Sequence, residues 1–244
     1  MDRVTINLWL RSSVFFVGMT VSAIVFSVVA ILAWPLPPIP RMRVISLWAH
    51  FIVWWLDLTC RLRHEVTGLE HLPEAASVIL SKHQSAWETI VFQTIFPPQT
   101  WALKREALWI PFFGWGLAAT RPIAINRSMR RRALDQLLRQ GVRRLAEGRY
   151  VVIFPEGTRM APGEKGAYFP GGALLAVKAG VAVVPVAHNS GLFWPRRGFI
   201  KHPGTIRVSI GHPITTAGEK ARAVNSRAML WIETETERLL TAFN

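Results

Sequence analysis

The chain has 244 residues and a mass of 27.5 kDa, room for one domain of ordinary size with an appendage. Half of the residues are hydrophobic and only 18% charged, which excludes a disordered chain, and a formal net charge of +14 points to an anionic partner such as nucleic acid, a membrane surface or a phosphorylated small molecule. The single cysteine, Cys60, excludes an intrachain disulfide framework and any zinc site built from several thiolates; it reads as a small buried apolar residue.

The N-terminus comes first. From Ser12 to Pro40 no side chain is ionisable, and Val14 to Trp34 is almost unbroken Val, Ile, Phe, Ala and Leu. A helix over that stretch is roughly 32 Å long at about 1.5 Å per residue, which matches a hydrocarbon layer of about 30 Å. Pro35, Pro37, Pro38 and Pro40 are expected to end it, and Arg41 and Arg43 follow. A second apolar stretch, Val44 to Leu56, is too short for an untilted span but suits an interfacial or re-entrant helix, with Trp48, Trp54 and Trp55 fit for the headgroup zone. A cleaved signal peptide has a shorter apolar stretch and a small-residue cleavage site, and two core helices of a soluble domain need burial on every side. Basic residues flank both ends, so a hairpin dipping in from one side reconciles them. Residues 1–60 therefore read as a membrane anchor of two helices and residues 61–244 as an α/β domain.

Beyond Arg61, short β-rich runs alternate with helical periodicity, the pattern of a central, mostly parallel sheet flanked by helices. Strands are expected at Ser77–Leu80, Ile123–Ile125, Tyr150–Phe154, Val181–Ala187 and Ile206–Ile210. Helices are expected at Trp87–Ile95, stopped by Pro97 and Pro98, at Ser128–Glu147, at Gly172–Ala179 and from Ala221 to about Leu240. In the Ser128–Glu147 helix, Leu134, Leu138, Val142 and Leu145 form the apolar stripe, and Arg130, Arg131, Arg132, Arg139, Arg143 and Arg144 line a solvated face.

Three blocks carry candidate chemistry. SKHQSAWET follows the first strand, with His83 and Glu88 five apart. On one regular helix five residues turn about 500°, so the two side chains meet only if His83 lies on the turn and the helix starts after it. Ser85 followed at the third position by Glu88 is a capping box, so Glu88 is equally readable as a cap acid without catalytic duty. VVIFPEGTR, Val151 to Arg159, ends a buried strand and then offers a carboxylate, a glycine, a hydroxyl and a guanidinium, where open α/β sheets place ligands. Gly157 permits close backbone approach and Arg159 has the planar donor fork that suits phosphate, although a surface pair of Glu156 with Arg159 is the plain alternative. Between the two, Leu103 to Arg127 joins Lys104, Arg105, Arg121 and Arg127 to an uncharged apolar stretch, a composition for a lipid with an anionic head. From Lys104 to Arg159 there are twelve basic and four acidic residues. No nucleic-acid recognition motif with interleaved aromatics is present.

In this order and spacing, the blocks resemble the glycerolipid acyltransferase family, most closely the bacterial 1-acyl-sn-glycerol-3-phosphate acyltransferases, over nearly the whole chain. The family's first motif, His, four residues, Asp, is present with Glu88 in place of Asp; its second is present as RPIAINR, with Arg121 for Gly and Asn126 for Asp; FPEGTR, Phe154 to Arg159, is intact; a Val-Pro strand is present as VVPVAHNSG with Pro185. The resemblance implies His83 as general base and Glu88 as its orienting acid, with no covalent acyl-enzyme and no metal or cofactor. Lys104, Arg127 and Arg159 would hold the acceptor's phosphate, with Glu156, Gly157 and Thr158 shaping the site. The implied partners are lysophosphatidic acid or another lyso-lipid as acceptor, acyl-CoA or acyl carrier protein as donor, and the inner membrane with the catalytic domain on its cytoplasmic side.

Overall fold

The structure, a computed structural model, describes residues 3–96, 98–126 and 130–242. Helix α1 (Arg3–Leu32) and helix α2 (Pro38–Cys60) form an antiparallel hairpin; strand β1 (Leu62–Thr67) follows, then β2 (Val78–Ser81), α3 (Trp87–Ile95), β3 (Gln99–Lys104), α4 (Phe113–Ala119), β4 (Ile123–Ile125), α5 (Arg130–Ala146), β5 (Tyr150–Ile153), α6 (Gly171–Ala179), β6 (Val183–His188), α7 (Ser190–Phe193), β7 (Gly204–Ile210) and α8 (Ala221–Thr241). The strands form one seven-stranded sheet in the order β1-β7-β6-β2-β5-β3-β4, parallel except where β7 runs against β6. The fold is the expected α/β class. Elements differ at their ends by one or two residues for the most part. Pro97, and the expected helix start at Ser128, lie outside the described residues.

Strand β2 sits mid-sheet, with Val78 level with both Val151 of β5 and Val183 of β6. Because alternate side chains point to opposite faces, Ile79 joins Val152, Val184 and Val208 beneath α2 and α3, whereas Val78 and Leu80 join Val151, Ile153 and Val183 beneath α5, α6 and α8. A sheet covered on both faces explains why the central strands read as unbroken apolar runs. It also leaves the C-terminal ends of β2, β5 and β6 side by side, and those ends carry the motifs.

Three expectations need correction. Pro38 and Pro40 open α2 rather than only ending α1, since the first turn of a helix has no use for their missing donors. The second helix is thereby 23 residues long, not thirteen. Of the three tryptophans assigned to headgroups only Trp54 is exposed: Trp48 donates its indole N–H to Ser22 Oγ at 3.1 Å and Trp55 donates to the Phe15 carbonyl at 3.2 Å, so both clasp α1. The clasp needs Gly18, where any Cβ would come within 2.2 Å of the Trp55 indole. Finally, Arg144 is buried in place of lining the solvated face of α5.

Helix α1 is long and apolar enough to cross a bilayer, with a mean hydropathy of 2.5 over its most apolar window, and Val14, Val17, Val21, Val25 and Leu32 point outward uncovered. Its inner face is welded to the domain. Phe15 is fully buried in one cluster with Ile52, Leu56 and Cys60 of α2 and with Trp87, Phe92, Phe96 and Trp194 beyond. Lys201, itself buried, donates its backbone N–H to Ser12 Oγ at 2.9 Å, and its ammonium sits 4.8 Å from the Trp194 ring and 5.3 Å from that of Phe15. The hairpin is thus part of the domain's core, and Phe15→Ala is expected to destabilise the whole chain by about 3–5 kcal/mol. Urea unfolding in detergent, followed by tryptophan fluorescence, measures it; an unchanged midpoint would mean the hairpin folds apart from the sheet.

Candidate active site

The turn between β2 and α3 places the expected pair. Ser85 Oγ accepts the Trp87 N–H at 3.1 Å and Glu88 reaches back to the Ser85 N–H at 2.8 Å, but the N-cap position of α3 is held by Ala86, so the two bonds brace the turn one residue ahead of the expected capping box. That leaves His83 on the turn, outside the helix, where its Nδ1 lies 2.8 Å from Glu88 Oε1. The same oxygen also accepts the Gln84 N–H at 2.8 Å, and Oε2 accepts the Ser190 hydroxyl at 3.0 Å. Glu88 is fully buried. Burial alone would raise its pKa, but the nearby imidazoles of His188 and His83 and its bonds to His83 and the Ser85 N–H hold it down at about 2. As a carboxylate it can only accept, so the proton between it and His83 belongs to Nδ1, and Nε2 is left as the basic nitrogen. One side chain therefore both braces the turn before α3 and engages His83.

The His83 ring is 14% exposed and stacks on Phe154 with centroids 4.1 Å apart and planes 14° from parallel, which fixes the plane in which Nε2 points. Backbone bonds hold the same residue from two sides. Its N–H donates to Glu156 Oε2 at 3.0 Å, and its carbonyl accepts the Met160 N–H at 2.8 Å. The loop after β5 is thus tied to the His83 turn at both ends of the stretch Gly157, Thr158 and Arg159. Gly157 turns that loop at φ 68°, a conformation that favours glycine, beneath the ring of Phe169. Thr158 is exposed, and Arg159 is half-buried with its Nε enclosed and without a hydrogen-bond partner among the described residues.

Glu156 does not pair with Arg159. It turns inward, where its Oε1 accepts Lys82 Nζ at 2.7 Å. Lys82 Nζ completes its three bonds with Glu233 Oε1 of α8 at 2.8 Å and the Glu164 carbonyl at 2.9 Å. Burial pushes the Glu156 carboxyl above its ordinary value against the pull of Lys82. Lys104 is exposed at the end of β3, roughly level with Lys82 by strand register and two strand spacings, or about 10 Å, away. Arg127 lies outside the described residues.

Sequence reasoning singled out neither Lys82, Ser190 nor His188. His188 closes β6, fully buried; its Nε2 donates to the Lys82 carbonyl at 2.9 Å, and burial pushes its pKa down against the pull of Glu88. Gln84 Oε1 accepts the Gly191 N–H at 3.1 Å, so the loop after β6 buttresses the turn from behind. The signal was present in VVPVAHNSG, whose polar end follows a buried strand. Among the described residues no group of three or more His, Cys, Asp or Glu side chains could hold a metal ion.

A carboxylate held at about 2 against an ordinary 4.5 stabilises the fold above about pH 4.5, and that contribution, on the order of 3 kcal/mol, drains away as pH falls toward 2. Glu88→Gln is expected to lack this acid limb. Urea midpoints at pH 7 and pH 3 test it, and parallel losses in wild type and variant would contradict it.

Comparison with known proteins places this geometry. The acyltransferase family model matches residues 63–189. The chain is 45% identical over 228 residues to the 1-acyl-sn-glycerol-3-phosphate acyltransferase of Pseudomonas aeruginosa, covering 91% of this chain and 89% of that one. It is 32% identical over 171 residues to the human 1-acyl-sn-glycerol-3-phosphate acyltransferase beta, covering 67% of this chain and 60% of the human protein. The crystal structure of the 1-acyl-sn-glycerophosphate acyltransferase PlsC from Thermotoga maritima is similar in fold, with a TM-score of 0.79 at 20% identity, covering 96% of this chain and 97% of that one. The protein with His83, Glu88 and the FPEGTR loop at one end of its sheet belongs to the acyltransferase family.

Proposed function

We propose that the protein transfers a fatty acyl group from an acyl thioester, acyl-CoA or acyl-ACP, to the free hydroxyl of 1-acyl-sn-glycerol-3-phosphate, giving phosphatidic acid. The observation that carries this reading is the His83 imidazole whose Nδ1 is engaged by a buried, charged Glu88, on a turn tied at Glu156 and Met160 to the loop of Arg159. The 45% identity to a protein named for that reaction supports the choice of acceptor.

His83 Nε2 takes the proton of the acceptor hydroxyl as its oxygen attacks the thioester carbonyl. Glu88 holds the ring in the tautomer that makes Nε2 basic and stabilises the imidazolium that forms. The tetrahedral intermediate expels the thiolate, which recovers the proton from His83, so the ester and a free thiol leave and the enzyme is unchanged. Arg159, whose Nε has no partner among the described residues, and the Thr158 hydroxyl receive the acceptor's phosphate, with Lys104 and Arg127 as further cations. Glu156 and Gly157 shape that site from beneath, through the His83 backbone and the turn at φ 68°. The uncovered apolar face of α1 supports anchoring of the hairpin in the inner membrane, with the thiol carrier reaching the site from the cytosol.

The test is incubation of the purified full chain with labelled acyl thioester and a panel of lyso-lipids. Phosphatidic acid is the expected product, and preferred acylation of another lyso-lipid would overturn the acceptor. His83→Ala should abolish transfer, and Glu88→Gln should lower kcat by about 10²–10⁴, the usual worth of an oriented general base. Arg159→Ala should raise KM for the phosphorylated acceptor well above any change for the thioester; equal changes for both substrates would remove Arg159 from the phosphate site.

A further inference from the structure

A second concentration of cations lies at the other end of the sheet, where β4 and β5 begin. By the pairing of Val78 with Val151, Arg149 is level with Ala76, seven residues before His83, or roughly 23 Å along the strand direction. Arg149 is fully buried; Nη1 donates to the Thr120 carbonyl at 2.9 Å and Nη2 to the Glu147 carboxylate. Arg144 donates through Nε to the Arg121 carbonyl at 2.9 Å and through Nη1 to Glu147 Oε1 at 2.9 Å. Arg143 reaches the same carboxylate at 3.3 Å. Arg41, in the first turn of α2, is 2% exposed, donates through Nη1 to the Trp34 carbonyl at 2.9 Å and lies 5.5 Å from the Trp34 ring. Its neighbour Met42 has Sδ 3.7 Å from Arg149 Nη1, which brings the hairpin against the sheet at this point. Arg121 is exposed and stands among them, its charge acting on Arg41, Arg144 and Arg149 alike.

Three guanidinium groups thus share one carboxylate, and Arg121, whose charge also acts on Arg41, stands beside them. Among the described residues neither Arg41 nor Arg121 makes an ion pair, and the other three share Glu147. The Nε atoms of Arg41 and Arg149 are buried without a hydrogen-bond partner among the described residues. An unpaired buried ion costs several kcal/mol, so an external anion beside buried Arg41 and exposed Arg121 would relieve that cost. Arg121 sits at φ 51°, closing the end of α4 with its N–H on the Ala118 carbonyl at 3.0 Å, as Arg61 closes α2. Planar guanidinium forks match tetrahedral oxyanions, and uncovered Leu32, Trp34 and Leu36 at the hairpin turn lie beside them.

We propose that Arg41 and Arg121, with the charges of Arg144 and Arg149 adding to theirs, form a second phosphate-binding site, separate from the catalytic pocket, for a phosphate group carried by a lipid headgroup at the hairpin turn or free in solution. The site does not depend on the acyl-transfer reading. Thermal unfolding of the full chain in a neutral detergent, at fixed ionic strength, is measured with added phosphatidylglycerol, phosphatidylcholine or inorganic phosphate. Phosphatidylglycerol at saturation is expected to raise Tm by roughly 5 °C or more, with phosphatidylcholine well below it. A matching rise with inorganic phosphate assigns the site to the free anion, and a rise confined to phosphatidylglycerol assigns it to the lipid. Arg121→Glu should abolish the rise. Arg159→Ala, in the catalytic pocket, and Arg222→Glu, an exposed charge reversal on α8, should keep it. If Arg121→Glu does not fold, Arg121→Gln should still raise the half-saturating concentration about tenfold, the worth of one hydrogen bond to a charged group. Equal Tm in both lipids, or a full response in the Arg121 variants, would overturn the proposal.

Discussion

A carboxylate cut off from water keeps its charge only if protein groups replace the solvent it has lost, and Glu88 has that replacement in full. Two backbone N–H groups, one hydroxyl and the His83 imidazole converge on its two oxygens. Those donors come from the β2–α3 turn and from Ser190 after β6, so the charge on Glu88 is also what holds the two segments in register. A protonated Glu88 would lose the ability to accept all four bonds, and the turn that presents His83 would lose its internal brace. The orientation of the imidazole is thus a consequence of how the sheet end is capped, not an addition to it.

A second layer supports the first. Lys82, buried between Ser81 and His83, spends all three of its N–H donors on Glu156, Glu233 and the Glu164 carbonyl. Through it the last helix and the loop after β5 bear on the residue next to His83. Since Glu156 also accepts the His83 N–H, the FPEGTR motif contributes twice: its acid builds the floor, and its arginine remains available above it. Three neighbouring strand ends and one terminal helix therefore agree on the position of a single ring.

Much of this was legible in the sequence because local chemistry dictated it. The interval of five between His83 and Glu88 admits contact only with His83 before the helix, and Ser85 supplied the place for the helix to begin. The strands around β2 were legible as buried apolar runs. What escaped notice was long-range or disguised. Lys82 looks like any surface lysine until Glu156 and Glu233, 74 and 151 residues away, are brought to it. Ser190 meets Glu88 across 102 residues. Strand β1, LRHEVT, has the polar alternation of an edge strand and no apolar run to mark it, and α4, FGWGLAA, hides behind two glycines. The inward indoles of Trp48 and Trp55 could not be told from headgroup tryptophans, because composition does not say which way a residue on an apolar helix faces.

The tautomer of His83 tests the central claim most directly. In ¹⁵N NMR of histidine-labelled protein, assigned by comparison with a His83→Asn variant, neutral His83 should carry its proton on Nδ1, and Glu88→Gln should erase that preference. A neutral His83 protonated on Nε2 in the wild-type protein would contradict it, because the nitrogen required to accept the hydroxyl proton would already be occupied.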